Sequence, residues 1–152
     1  MRILVIDDKR EEREAAKDAI EAAGHGALIY QDLSYPQGQK AWETMPTVDG
    51  VITDLYFDPR RGGEEAMALY RQSPPPMGLV VALHALHVGK PVVICTSGYH
   101  HGPELSFVFD SYISPNMTGR NIAFGWEENK DWARSVKMLE KGVKLPYDLR
   151  EA

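Results

Sequence analysis

The feature that most constrains this chain is an alternation: short apolar runs rich in β-branched residues, each followed by a stretch with helical spacing. The first run, Ile3-Leu4-Val5-Ile6, contains no polar residue. A strand without a polar face must be covered on both sides, which is the condition of a parallel sheet. The run stops at Asp7-Asp8. From about Lys9 to Ala23, the residues Ala15, Ala16, Ala19, Ile20 and Ala23 recur at spacings of one, three and four. Glu11, Glu12, Arg13 and Glu14 give that predicted helix a solvated first turn, and Gly24 suits its C-terminal cap.

The same reading continues along the chain. Ala27 to Tyr30 is a second predicted strand; Ser34 to Gly38 is a loop, and a short helix follows from about Gln39 to Met45. Val48 to Leu55 is a third strand carrying Thr53-Asp54 near its end. Phe57 to Gly63 reads as a loop, Glu64 to Arg71 as a helix broken by Ser73-Pro74-Pro75-Pro76, and Gly78 to Val88 as a further helix. Val92 to Cys95 is the fourth strand and Phe107 to Ile113 the predicted fifth. A last amphipathic helix spans about Glu128 to Lys141, with Trp132, Val136 and Leu139 facing inward. Strands alternating with helices predict parallel βαβ units, a doubly wound five-stranded parallel sheet of the α/β class. At 152 residues the chain is expected to form one domain, 1–152.

Composition narrows the function classes. Seventeen Lys and Arg against 22 Asp and Glu leave a net charge of −5, and the pI is near 5.5. That balance argues against a nucleic-acid partner bound through phosphate neutralisation. The lone Cys95 excludes an internal disulfide and a multi-Cys zinc site, and its apolar surroundings predict an inert, buried thiol. The N-terminal apolar stretch is too short for a signal peptide, and no run approaches the roughly 18 apolar residues of a membrane span. A soluble, cytoplasmic protein without a membrane partner is expected.

The chemistry-bearing residues gather at predicted strand ends. In an open parallel sheet, ligands bind outside the carboxyl ends of the strands. Asp7 and Asp8 follow the first strand, Asp54 the third, and Thr96-Ser97-Gly98 the fourth. If those strands are neighbours, three carboxylates and a hydroxyl converge in one cleft. Crowded carboxylates repel one another unless a cation neutralises them, and hard oxygen ligands with room for water suit Mg²⁺. A carboxylate beside Mg²⁺ can attack a phosphoryl group, because the metal offsets charge on the transferring oxygens.

Three motifs in this order, Ile3-Leu4-Val5-Ile6-Asp7-Asp8, Val51-Ile52-Thr53-Asp54 and Pro91-Val92-Val93-Ile94-Cys95-Thr96-Ser97, resemble a response-regulator receiver domain of the single-domain chemotaxis type. The resemblance covers about the first 115 residues and the last helix. It implies a flavodoxin-like fold, with Asp54 as phospho-acceptor and Mg²⁺ held by Asp7, Asp8, Asp54 and the backbone carbonyl of Tyr56. It also implies Thr96 as switch hydroxyl and Tyr112 as aromatic switch. The implied partners are a histidine kinase or phosphotransfer protein and a downstream protein. The implied role is signalling rather than metabolic catalysis.

Three departures accompany the resemblance, one of them His100-His101-Gly102 in the loop just after Thr96. The family places a Lys, followed by Pro, after strand five, where it contacts the phosphoryl group. After Phe107 to Ile113 this chain reads Ser114-Pro115-Asn116. Either Ser114 replaces that Lys or Pro115 occupies its place, and Lys9 or Arg60 are the candidate substitutes. The connection between strands three and four, residues 57–90, is also extended. A receiver-like module that binds partners independently of phosphorylation is therefore the alternative function. A Mg²⁺-dependent phosphohydrolase fits poorly, since Asp54 and Asp58 stand four apart rather than two.

Other motifs favour structural roles. His100 and His101 read as loop residues, although a transition-metal site with Glu104 is conceivable chemistry for them. His84 and His87 share a helix face at a spacing able to chelate, but as core-edge residues they need no metal. Gly62-Gly63 lacks the rest of any phosphate-loop pattern. Trp126 and Trp132 read as packing groups of the final helix.

Overall fold

A computed structural model describes residues 1–31, 33, 37–57, 76–97, 124–127 and 129–142. The elements in chain order are β1 (Arg2–Ile6), α1 (Arg10–Ala22), β2 (Gly26–Tyr30), α2 (Gln37–Thr44), β3 (Gly50–Thr53), α3 (Met77–His87), β4 (Val92–Cys95), β5 (Phe124–Glu127) and α4 (Trp132–Glu140). A 3₁₀ turn, Met45–Thr47, follows α2. The strands form one parallel sheet in the order β2-β1-β3-β4-β5. This is the doubly wound order expected from the β–α alternation, with a crevice where the winding reverses between β1 and β3.

The unbroken apolar strands do what their composition requires. Residues 3–6 of β1, 50–53 of β3 and 92–95 of β4 are buried throughout. Successive residues face opposite sides. Leu4, Ile6, Val51, Val92 and Ile94 pack with Met45, Val81 and Ala85 on one face. Ile3, Val5, Ile52, Val93 and Cys95 pack with Ala16, Ile20, Trp132, Val136 and Leu139 on the other. Each such Leu, Ile or Val side chain contributes about 1.5–3 kcal/mol by leaving water, so the period of two fixes which helices cover which face. The inward trio Trp132, Val136 and Leu139 is as expected.

Boundaries differ where local chemistry overrides pattern. The third strand is shorter than the apolar run suggests, because Asp54 and Leu55 turn away to meet α3. Gly78 lies against that turn and donates its N–H to the Leu55 carbonyl at 2.9 Å. A Cβ there would sit 1.9 Å from the Asp54 carbonyl oxygen, so only glycine allows this approach. Helix α1 ends as expected: Gly24 follows with φ +79°.

The fifth strand requires a correction. The segment that pairs with β4 is Phe124–Glu127, in register Val92↔Phe124 to Cys95↔Glu127. The predicted strand Phe107 to Ile113 lies outside the described residues, as does the predicted helix Glu64 to Arg71. Phe-Gly-Trp-Glu has weak strand character by composition; it is recruited by the open edge of β4, which tertiary pairing can do against propensity. The last helix accordingly starts at Trp132, four residues later than expected, after a turn that includes Lys130 at φ +56°. Among the described residues, no helix is long and apolar enough to cross a membrane.

Candidate functional site

Parallel pairing brings the strand ends to one edge, and the register sets who meets whom. Ile6 is paired with Thr53, so the next residues, Asp7 and Asp54, are neighbours, and the Asp54 N–H donates to the Ile6 carbonyl at 2.9 Å. Carboxylate oxygens of Asp7, Asp8 and Asp54 all lie within 4.8 Å of one another. Asp7 is fully buried and Asp54 is 7% exposed. The three acids expected to converge do so.

The turn after β1 is built to present them. Asp7 Oδ1 accepts the Lys9 N–H at 2.9 Å, tightening the chain before α1 rather than capping it. Arg13, one turn into α1, donates from Nη1 to the carbonyls of Asp7 at 2.9 Å and Asp8 at 2.8 Å. The first turn of α1 is therefore not wholly solvated: Arg13 clamps the backbone of both acids. On β3, Asp54 Oδ1 accepts the Leu55 N–H at 2.8 Å.

A cation sits among these acids. Lys130 Nζ lies 2.6 Å from Asp7 Oδ2 and 3.0 Å from Asp54 Oδ1, reaching in from the turn after β5. Its ammonium also stands 5.4 Å from the centroid of the Trp132 ring, whose Nε1 donates to Glu12 at 2.8 Å. Neither proposed substitute is needed for this contact; the Lys9 side chain is exposed, and Arg60 lies outside the described residues. The sequence signal that could have found Lys130 was a lysine just before the last helix. That signal is masked while strand five is placed at Phe107 to Ile113.

Electrostatics follow from crowding in a dry edge. Burial pushes the Asp7 carboxyl up to about 6; Lys130 opposes this rise and the Asp54 charge adds to it. Asp8 is raised for the same reasons, burial first and then Asp54. For Lys130, burial acts to lower the ammonium, but Asp54 and Asp7 together outweigh it and hold it above the usual lysine range. Lys130 thus pairs with two of the three carboxylates, Lys9 opposes the rise at Asp8 from the exposed side, and the balance remains negative.

That deficit fits a divalent ion. Asp8 Oδ1 is buried without a hydrogen-bond partner. Asp7 Oδ2 is equally buried, and the Lys130 ammonium at 2.6 Å is its partner. An orphaned carboxylate oxygen beside two other acids is a hard-oxygen donor set of the kind Mg²⁺ takes.

The remaining expected site residues are placed as follows. Thr96 directly follows β4, is buried, and donates its N–H to the Glu127 carbonyl at 2.8 Å. Tyr56 follows Asp54 by two residues and is half-buried. Tyr112, His100 and His101 lie outside the described residues. The residue at the carboxyl end of the paired fifth strand is Glu127, a buried carboxylate rather than an aromatic ring. His84 and His87 have ring centroids 6.3 Å apart, and His84 packs edge-on against Trp42 at 4.7 Å. Among the described residues the acid trio is the one group with three metal-ligand side chains, so this histidine pair gains no third ligand. Cys95 is buried, and burial pushes its thiol up to about 12, an inert group as expected.

No family model matches the sequence, and no curated protein matches it. Solved structures do match the fold. A response regulator receiver domain protein from Clostridium thermocellum is 19% identical, with TM-score 0.55, covering 97% of this chain and 98% of that one. A structure described as a transiently phosphorylated "switch" in bacterial signal transduction is 18% identical, with TM-score 0.56, over 93% of this chain and 92% of that one. A CheY-like receiver domain protein from Methanospirillum hungatei JF-1 is 14% identical, with TM-score 0.54, over 99% and 98%. The chain has the fold of the response-regulator receiver domains, with its acid trio at the edge where such a doubly wound sheet binds ligands.

Proposed function

We propose that this chain is a receiver of two-component signalling, a single domain over 1–152 that accepts a phosphoryl group on Asp54. The observation that carries the reading is the shared pocket of Asp7, Asp8, Asp54 and Lys130. The donor is a phosphohistidine on a histidine kinase or phosphotransfer protein. Asp54 Oδ1 is engaged by the Leu55 N–H and Lys130, so Oδ2 is the attacking oxygen. It forms a bond to phosphorus as the P–N bond breaks, and the imidazole leaves with the electron pair. Asp7, Asp8, Asp54 and the Tyr56 carbonyl would hold Mg²⁺, which supplies charge neutralisation for the transferring oxygens. Lys130, the counterpart of the family lysine, contacts the phosphoryl group, and the Thr96 hydroxyl donates to one of its oxygens. The phosphorylated form signals through a downstream protein partner in the cytoplasm.

The test is labelling with acetyl phosphate and Mg²⁺ followed by intact mass. One phosphoryl group is expected on the wild type and none on Asp54→Asn. Equal labelling of both would remove the assignment. The phosphorylation-independent module drew its support from the absence of a cation at the site, which Lys130 supplies. It would regain standing if partner binding proved indifferent to both Asp54→Ala and phospho-donor.

A further inference from the structure

We propose that Glu127 is a positioning residue for Lys130, setting the ammonium at the acid pocket by locking the turn that carries it. This rests on the receiver reading of the pocket. Glu127 ends β5 and is 1% exposed, an uncommon place for an ionised side chain unless it is fully bonded. Its Oε1 accepts the Asn129 N–H at 2.8 Å, and its Oε2 pairs with Arg134 Nε at 3.1 Å. Its carbonyl takes the Thr96 N–H. One residue thereby ties the end of β4, the start of the turn and the first turn of α4.

The turn needs such a tie. Lys130 is the one non-glycine residue with positive φ among the described residues, at +56°. The left-handed region is unfavourable for a residue with a Cβ, so it persists only where its flanks dictate it. On the far flank, Asp131 caps α4, its Oδ1 accepting the Arg134 N–H at 2.9 Å. On the near flank, the Glu127 carboxylate gathers Asn129 and Arg134 across the turn. With both flanks fixed, the lysine stem points back over the sheet edge, and its Nζ reaches Asp7 and Asp54. Without Glu127 the near flank is free, and Lys130 can relax to a right-handed conformation that withdraws its ammonium.

The experiment reads the Lys130 ammonium directly, in the metal-free full chain labelled with ¹⁵N-lysine. A protected ammonium resonance is expected in the wild type and is assigned by its loss in Lys130→Met. Glu127→Ala should shift it to the solvent-exposed lysine position, while Glu127→Gln, which still accepts the Asn129 N–H, should restore most of the protected signal. An unmoved resonance in folded Glu127→Ala overturns the proposal. Should that variant not fold, Glu127→Gln and Arg134→Met carry the test: each keeps the Asn129 contact and loses the Arg134 pair, so both should move the resonance by the same small part of the way, and no shift in either is again fatal. Action through Lys130 is checked by titrating Mg²⁺. Losing a competing cation should tighten Mg²⁺ binding in both Glu127→Ala and Lys130→Met, and the double variant should match Lys130→Met within about twofold. Multiplying effects would mean that Glu127 acts by another route. The ammonium signal needs neither metal nor phosphoryl group. Failure of the receiver reading would therefore appear as absent labelling with the Glu127 effect on the resonance intact.

Discussion

The two ends of one sheet treat charge in opposite ways. At the carboxyl edge, Asp7, Asp8, Asp54 and Lys130 are drawn into the protein, and the carboxyls of Asp7 and Asp8 rise. At the amino edge, the Arg2 N–H donates to Asp49 at 2.6 Å and His25 Nε2 meets Glu140 at 2.8 Å, both in exposed settings. The residue types are similar. What differs is how much water each keeps: in the dry edge an uncompensated charge is costly, whereas in the wet edge solvent screens it. A cluster that retains such a cost is the one poised to bind an ion.

Removing the buried cation should give the largest effect. Lys130→Met leaves Asp7 and Asp54 without their shared partner, and breaking a buried ion pair from one side costs about 3–5 kcal/mol. Thermal unfolding without divalent ions should show that loss, greater at pH 8 than at pH 5, because protonating the acids relieves the repulsion. Saturating Mg²⁺ should recover most of it. A loss no larger than that of an exposed pair would mean that the carboxyl edge is wetter than its burial implies.

Asp7 gives the next largest effect, with the opposite sign. Its folded value of about 6 stands above the ordinary 3.8, so between pH 4 and 6 the native state binds more protons than the unfolded chain. Stability from this group is therefore fully present below pH 4 and is lost as pH rises through 6. At 1.36 kcal/mol per pH unit the loss reaches up to ~3 kcal/mol. Asp7→Asn should be more stable than wild type at pH 7 without metal, and should lack this slope in denaturant melts. It should also gain little from Mg²⁺.

Gly78→Ala probes the backbone behind Asp54. Alanine favours a helix by about 1 kcal/mol over glycine, yet its Cβ would meet the Asp54 carbonyl oxygen at 1.9 Å. The clash is with main chain, so a net loss of about 1–3 kcal/mol is expected. Because Asp54 itself must move, Mg²⁺ affinity should fall with stability. Unchanged affinity would separate the packing of α3 from the site.

How much of this was legible in the sequence follows from the same physics. Apolar runs such as Ile3–Ile6 and Val92–Cys95 announced buried parallel strands, and the acids following them announced the pocket, because both signals are local. The fifth strand was not local. Phe124–Glu127 owes its place to the open edge of β4, while the more strand-like Phe107 to Ile113 attracted the assignment. Lys130 was lost with it, since its role depends on the turn that this strand begins. Arg13 and Glu127 carried no pattern either. Their contacts are made to main chain of neighbouring turns, and a charged residue in a polar stretch looks the same whether it is solvated or clamped.

Glu140→Gln at the amino edge is expected to be nearly silent, and that is its value. The pair with His25 is short at 2.8 Å, but the glutamate side chain is 39% exposed. Pairs of this kind contribute about 0–1 kcal/mol and weaken with salt. The His25 ring also faces the N-terminal amine of Met1 at 3.2 Å, so a second charged group adjusts when Glu140 is neutralised. A change below about 0.5 kcal/mol in denaturant melts, shrinking further at high salt, is the expected result. A loss approaching that of Lys130→Met would mean that proximity, rather than desolvation, sets the worth of a charge in this fold, and the contrast between the two edges would collapse.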